Sequence, residues 1–142
     1  MAKFVLYKNE GKIYRLEAEL PPSDAYTVFE FNAENPEDLI YDGTQIRLKT
    51  QDEKLQELKS RKLSELKTYV ESLLAPTDYI VTKIAEAQIQ NDTAEVEALK
   101  QKYATQLQRR EAIRQWNEQT KQAIQNAKTI EELEAIKIEF EG

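Results

Sequence analysis

The hydrophobic period changes near residue 50, and that change confines the chain to a β-first, helix-second architecture. Before it, Tyr14, Leu16, Ala18 and Leu20 alternate with polar residues, the period-two pattern of a half-buried strand. After it, Leu63, Leu66, Val70 and Leu73 recur at steps of three and four, a stripe along one helix face. The expected fold class is therefore α+β. A small antiparallel β region of two hairpins occupies residues 1–50, and an antiparallel helical hairpin or bundle occupies residues 51–142. The two are expected to pack as one unit or as two touching subdomains.

Within the β region, Phe4 to Tyr7 and the alternating run from Tyr14 form the arms of a first hairpin, with Asn9-Glu10-Gly11 as its turn. Pro21-Pro22-Ser23-Asp24 breaks the chain, and YTVFEFN follows as a third strand. LIYDGTQIRLKT reads as a second hairpin, with Asp42-Gly43 predicting a type I′ turn.

In the helical region, Ala75-Pro76 predicts the end of the first helix, because a residue before proline is pushed out of the α region. Thr77 is the expected N-cap of the next, its hydroxyl accepting a backbone N–H, and Asp78 puts negative charge at the helix N-terminus. Ile80, Ile84 and Ala87 give that helix its apolar face. Asp92 and Glu95 form a capping-box-like start to a third, long helix. Its stripe runs through Val96, Leu99, Tyr103 and Leu107, then rotates to Ile113, Trp116, Thr120, Ile124 and Ala127. The rotation implies a change of packing partner, either to the β region or to another subunit. Thr129 with Glu132 caps a short last helix carrying Leu133, Ile136 and Ile138.

Composition narrows the chemistry. The chain has neither cysteine nor histidine, so disulfides, thiolate metal sites and imidazole general bases are excluded. It carries no D-x-D-x-D-G loop, no Glu-x-x-His pair and no glycine-rich phosphate loop. The expectation is a protein that is not an enzyme and uses no cofactor or metal. A net charge of −6 argues against general nucleic-acid binding. The locally basic run KQKYATQLQRREAIR has acidic neighbours and sparse aromatics, so it reads as a solvated helix face. MAKFVLYKNEGK holds no secretory apolar core, and no run of about 18 apolar residues occurs. A cytoplasmic, soluble protein without membrane contact is expected.

One constellation stands out. Arg110 and Arg114 continue the line of Tyr103 and Leu107 at about 100° per residue. On the preceding helix Tyr79, Lys83 and Glu86 share a side. The expectation is that Asp78 or Glu86 pairs with Arg110 or Arg114 across the helical hairpin. Tyr79 and Tyr103 would pack over the pair, and bidentate guanidinium geometry would set the register. The bland reading, favoured over a ligand site or a catalytic one, is a structural salt bridge. Leu55 and Leu58, out of phase with the first stripe, are candidate partner-binding residues with Tyr79 and Trp116; Trp116 reads first as a core or packing residue, with an interface anchor as the alternative, since tryptophan is a common one.

The segments LLAPTDYIVTKIAEAQ, YATQLQRREAIRQWNE and AIQNAKTIEELEAI resemble the C-terminal helical segment of small proteins of phage and prophage tail modules, some of them tail-fibre assembly proteins. The matching positions are Thr77, Asp78, Tyr79, Lys83, Glu86, Ala87, Tyr103, Leu107, Arg109, Arg110, Arg114, Asn117 and Glu118. The resemblance spans roughly residues 63 to 138 and leaves the β region unmatched. It implies a tail-associated binding protein, either a tail-fibre assembly chaperone or a minor tail component. Its partner would be another tail or fibre protein, with a homo-oligomer as a further option. The protein would sit in the bacterial host cytoplasm during assembly or in the virion. The rival expectation is a small regulatory or host-interference protein of a mobile element, its acidic charge suited to a basic host surface.

Overall fold

In the computed structural model, which describes residues 2–33 and 35–142, the fold is α+β. The chain divides into two compact units, Met1–Lys54 and Leu55–Gly142.

In the first unit, β1 (Ala2–Tyr7) is the central strand of a three-stranded antiparallel sheet. β2 (Lys12–Arg15) lies on one side and β3 (Tyr26–Phe31) on the other. Gly11, at φ 65°, supplies the left-handed turn residue between β1 and β2. The alternation through Leu20 predicted a longer second arm, but β2 ends at Arg15. The chain then crosses over to place β3 beside β1, with Val5 paired to both Tyr14 and Val28. Phe4, Val5 and Leu6 are all buried, so both faces of the central strand are covered. Phe4 stacks on Phe29 at 5.8 Å.

β4 (Leu39–Tyr41) and β5 (Ile46–Leu48) form the second hairpin. Its turn is not type I′. Gly43 alone has a positive φ there, at 92°, and Asp42 uses its side chain instead of a left-handed backbone. Asp42 Oδ1 accepts the N–H groups of Thr44 and Gln45 at 3.0 and 2.9 Å. Those two bonds, that to Gln45 first, hold the Asp42 carboxyl below its usual range.

The unit boundary falls after the first turn of α1 (Gln51–Leu74), and electrostatics explains why that turn goes with the strands. Arg47 on β5 makes a bidentate pair with Glu53, at 2.6 and 3.1 Å. Lys54 reaches Asp38 at 3.2 Å. Glu53 also closes a reciprocal capping box: its carboxylate accepts the Thr50 N–H at 3.0 Å while the Thr50 hydroxyl accepts the Glu53 N–H at 3.1 Å.

In the second unit, α1 is followed by a 3-10 turn, Ala75–Thr77, and then by α2 (Asp78–Ile89). Asn91 closes α2 in the left-handed conformation, φ 57°. The Asn91 N–H reaches the Gln88 carbonyl and the Asp92 N–H reaches the Ala87 carbonyl, a Schellman pattern. The predicted long third helix is divided at Tyr103 (φ −107°, ψ 24°) into α3 (Thr93–Lys102) and α4 (Ala104–Asn126). Asp92 caps α3 through the Glu95 N–H at 3.1 Å. Thr129 caps α5 (Ile130–Glu134) through the Glu132 N–H at 3.1 Å. Ile136 and Ile138 lie beyond that helix, not on it, yet still pack on the core.

The stripe rotation corresponds to two cores. Val96, Leu99 and Tyr103 pack with Ile80 and Ala87 of α2. Ile113 and Ile124 pack with Leu55, Leu66 and Val70 of α1 and with Leu133. The packing partner at the rotation is α1 together with the C-terminal segment. Contacts descend in order along α1 and α4, from Lys59 with the Gln125 carbonyl, through Tyr69 with Trp116, to the Leu74 carbonyl with Arg110. The two helices are antiparallel.

The Arg47 pair, first, and the Thr50 N–H lower the Glu53 pKa from 4.5 to about 2. A carboxyl depressed on folding contributes stability in full above 4.5, and that contribution is lost as pH falls through the window toward 2. An NMR titration of the glutamate carboxyls is expected to place Glu53 near 2, and Arg47→Gln is expected to move it back toward 4.5.

Candidate functional site

The site begins with an orphan carbonyl. Pro76 has no N–H to donate, so α1 cannot continue through it and its last carbonyls need other donors. Arg110, one turn and a half into α4, supplies one. Its Nη1 lies 2.8 Å from the Leu74 carbonyl, 2.7 Å from the Thr77 hydroxyl and 3.0 Å from Asp78 Oδ1. The Thr77 hydroxyl in turn donates to the Leu74 carbonyl at 3.1 Å. Thr77 is therefore not the side-chain N-cap of α2 that its position predicts: its oxygen is used by Arg110 and its proton by α1. A cation at the C-terminus of α1 and a carboxylate at the N-terminus of α2 each suit the local helix dipole.

The expected ion pair forms between Arg110 and Asp78, with two differences from expectation. First, the contact is not bidentate. Three acceptors converge on one guanidinium nitrogen, which has only two hydrogens, and the buried Nε has no partner among the described residues. Second, burial is one-sided: the Arg110 side chain is 7% exposed and that of Asp78 63%. Glu86 and Arg114 stay outside the cluster. Glu86 is exposed on α2, and Arg114 bonds Glu111 on its own helix at 3.5 Å. Both side chains are exposed.

One residue beyond Asp78, Tyr79 meets Tyr103 edge-on at 5.8 Å, and their ring contacts are with each other and with lysines instead of with the Arg110–Asp78 pair. The Lys83 ammonium sits 5.6 Å from the Tyr79 ring and 5.9 Å from that of Tyr103. Lys102 covers Tyr103 from 5.3 Å. Tyr79 thus serves the lid of the α2–α3 core while half exposed. The rest of the basic run is also accounted for locally: Lys100 faces Glu97 at 3.8 Å, and Arg109 lies over Phe140 at 5.7 Å.

The remaining partner-binding candidates fall in the core. Leu55 is 7% exposed within the α1–α4 cluster and Leu58 packs against it. The phase that separated them from the stripe brings them to the lower end of α4 instead of to solvent. Trp116 is held edge-on between Tyr69 at 5.7 Å and Phe140 at 5.7 Å, and the Phe140 N–H bonds the Tyr69 hydroxyl at 3.1 Å. Apolar Ile136, Ile138 and Phe140 mark the C-terminal segment for burial, but nothing in the sequence names α1 as its partner, where the Ile136 carbonyl also accepts from Lys62.

Chemically, the arrangement can fix a helix junction. Its one carboxylate faces a guanidinium already committed to backbone and hydroxyl oxygens. Among the described residues, no group of three acidic side chains is placed to hold a metal ion. No helix of the described residues is long and apolar enough to cross a membrane. Comparison with known proteins finds no matching family, no matching curated protein and no matching solved structure.

Arg110→Met removes the donor and is expected to destabilise the protein by about 1–3 kcal/mol, the cost of buried acceptors left unpaired. Arg110→Lys offers three hydrogens on one nitrogen and should keep more than half of what Met loses. Urea denaturation of the three proteins checks both the loss and the order.

Proposed function

We propose that this chain is a non-enzymatic, tail-associated protein of a phage or prophage that acts by binding another tail or fibre protein. Its role is that of a tail-fibre assembly chaperone or a minor tail component. The observation that carries this reading is the convergence of the residues behind the resemblance. Thr77 and Asp78 meet Arg110, and the next residues of the pattern, Tyr79 and Lys83, meet Tyr103, so six of the matching positions form two contact groups that are adjacent along the start of α2. A pattern whose members meet in the fold is a stronger signature than spacing alone.

The same residues support a binding role over catalysis, since the guanidinium of Arg110 is taken up by the Leu74 carbonyl, the Thr77 hydroxyl and Asp78. With Leu55, Leu58 and Trp116 committed to the core, the binding surface shifts to the β unit. There Tyr14, Val28 and Leu48 are exposed apolar side chains. A groove of about 520 Å³ lies beside Val5, lined by Tyr7, Tyr14, Leu16 and Leu20. Unpaired sheet edges and aromatic grooves are common sites for an extended partner segment. The rival regulatory role draws on the charge of −6, which favours a basic host surface.

Quantitative mass spectrometry of purified particles beside the induced lysate tests the reading. Several copies per particle indicate a minor tail component. Presence in the lysate alone, with a fibre protein captured in a pull-down, indicates an assembly chaperone. Capture of a basic host protein, released steeply by salt, would replace the tail reading with the regulatory one.

A further inference from the structure

β3 is an edge strand of the three-stranded sheet. The Lys8 N–H bonds the Ala25 carbonyl and the Leu16 N–H bonds the Lys3 carbonyl. Because successive residues of a strand turn their N–H and C=O groups to opposite sides, these two bonds fix the whole pattern. Thr27, Phe29 and Phe31 face β1. Tyr26, Val28 and Glu30 turn their backbone groups outward, and no backbone bond reaches them among the described residues. Val28, in the middle, is 43% exposed, and Thr27 and Glu30 are exposed on either side of it.

The two edges of this sheet differ. β2 has four residues, begins with Lys12 and ends with Arg15, and lies against β4 and the 3-10 turn Pro36–Asp38. β3 has six residues and reads YTVFEF. It holds no lysine, proline or bulge, and its one charge is Glu30 near the C-terminal end, so the middle of the edge carries none of the devices that usually discourage edge pairing.

We propose that β3 pairs antiparallel with β3 of a second copy of this chain, with Val28 facing the second copy's Val28 on the two-fold axis. In that register Tyr26 lies opposite the second copy's Glu30, and all three outward residues find outward partners. Each such pair exchanges two bonds, about six in all. Slipping the register by two residues leaves about four. No like charges meet in the symmetric register, and the exposed Val28 methyls cover one another. The inference does not rest on the tail reading, and self-pairing would occupy the β3 edge while leaving the groove beside Val5 to another partner.

Sedimentation equilibrium of the full chain tests it, with loading from roughly 10 µM to 1 mM, the range of weak association. The expected result is a concentration-dependent rise from the 16.5 kDa chain mass toward twice that value. Val28→Lys and Val28→Glu each put like charges on the axis, and each should be monomeric throughout. An equimolar mixture of the two should recover the dimer, which also shows that both variants fold. A parent chain that stays monomeric at 1 mM overturns the proposal, including one that instead captures an extended peptide at this edge. So does a dimer that survives Val28→Lys, or a mixture that fails to reassociate.

Discussion

The arrangement of the helical unit depends on where one guanidinium nitrogen finds its acceptors. Proline at position 76 ends α1 and leaves the Leu74 carbonyl facing inward, at the negative end of the helix dipole. A buried carbonyl without a donor is costly, and a buried cation without acceptors costs more. Arg110 removes both penalties at once. It reaches from α4 to the end of α1 and, through Thr77 and Asp78, to the start of α2. Three helices are thereby tied at one point, and the angle at which α2 leaves α1 is set there.

From that point the apolar packing divides. The break at Tyr103 lets α3 return along α2, with Ile80 and Tyr103 in one core, while α4 runs back along α1 with Ile113 and Ile124 in the other. A straight helix through residue 103 would keep one face toward α2 and could not serve both cores. Tyr103 occupies the hinge and is buried under Tyr79 and two lysines, so aromatic and cationic contacts cover the place where regular helix stops.

Much of this was legible in the sequence. The period change near residue 50 placed strands before helices, and Asp78, Arg110, Tyr79 and Tyr103 were singled out as one constellation. What escaped the sequence reading depends on distances between segments far apart along the chain. The choice of Arg110 over Arg114 turns on which arginine faces a carbonyl exposed by Pro76, a backbone fact with no side-chain signature. Leu55, Leu58 and Trp116 read as partner-binding candidates because the apolar alternation Ile136, Ile138 and Phe140, which helps enclose that core, does not say which helix it returns to. The Thr50–Glu53 capping box was present as T-x-x-E and could have been found. Its bond to Arg47, which draws the first turn of α1 into the β unit, could not.

Native-state hydrogen exchange on the wild type and Arg110→Met tests most directly whether one nitrogen holds the junction. Amides of the 3-10 turn and the first two turns of α2 are expected to lose protection in the variant, while those around Ile124 and Leu133 keep theirs. Uniform loss across both cores, or unchanged protection at Asp78 and Tyr79, would contradict it.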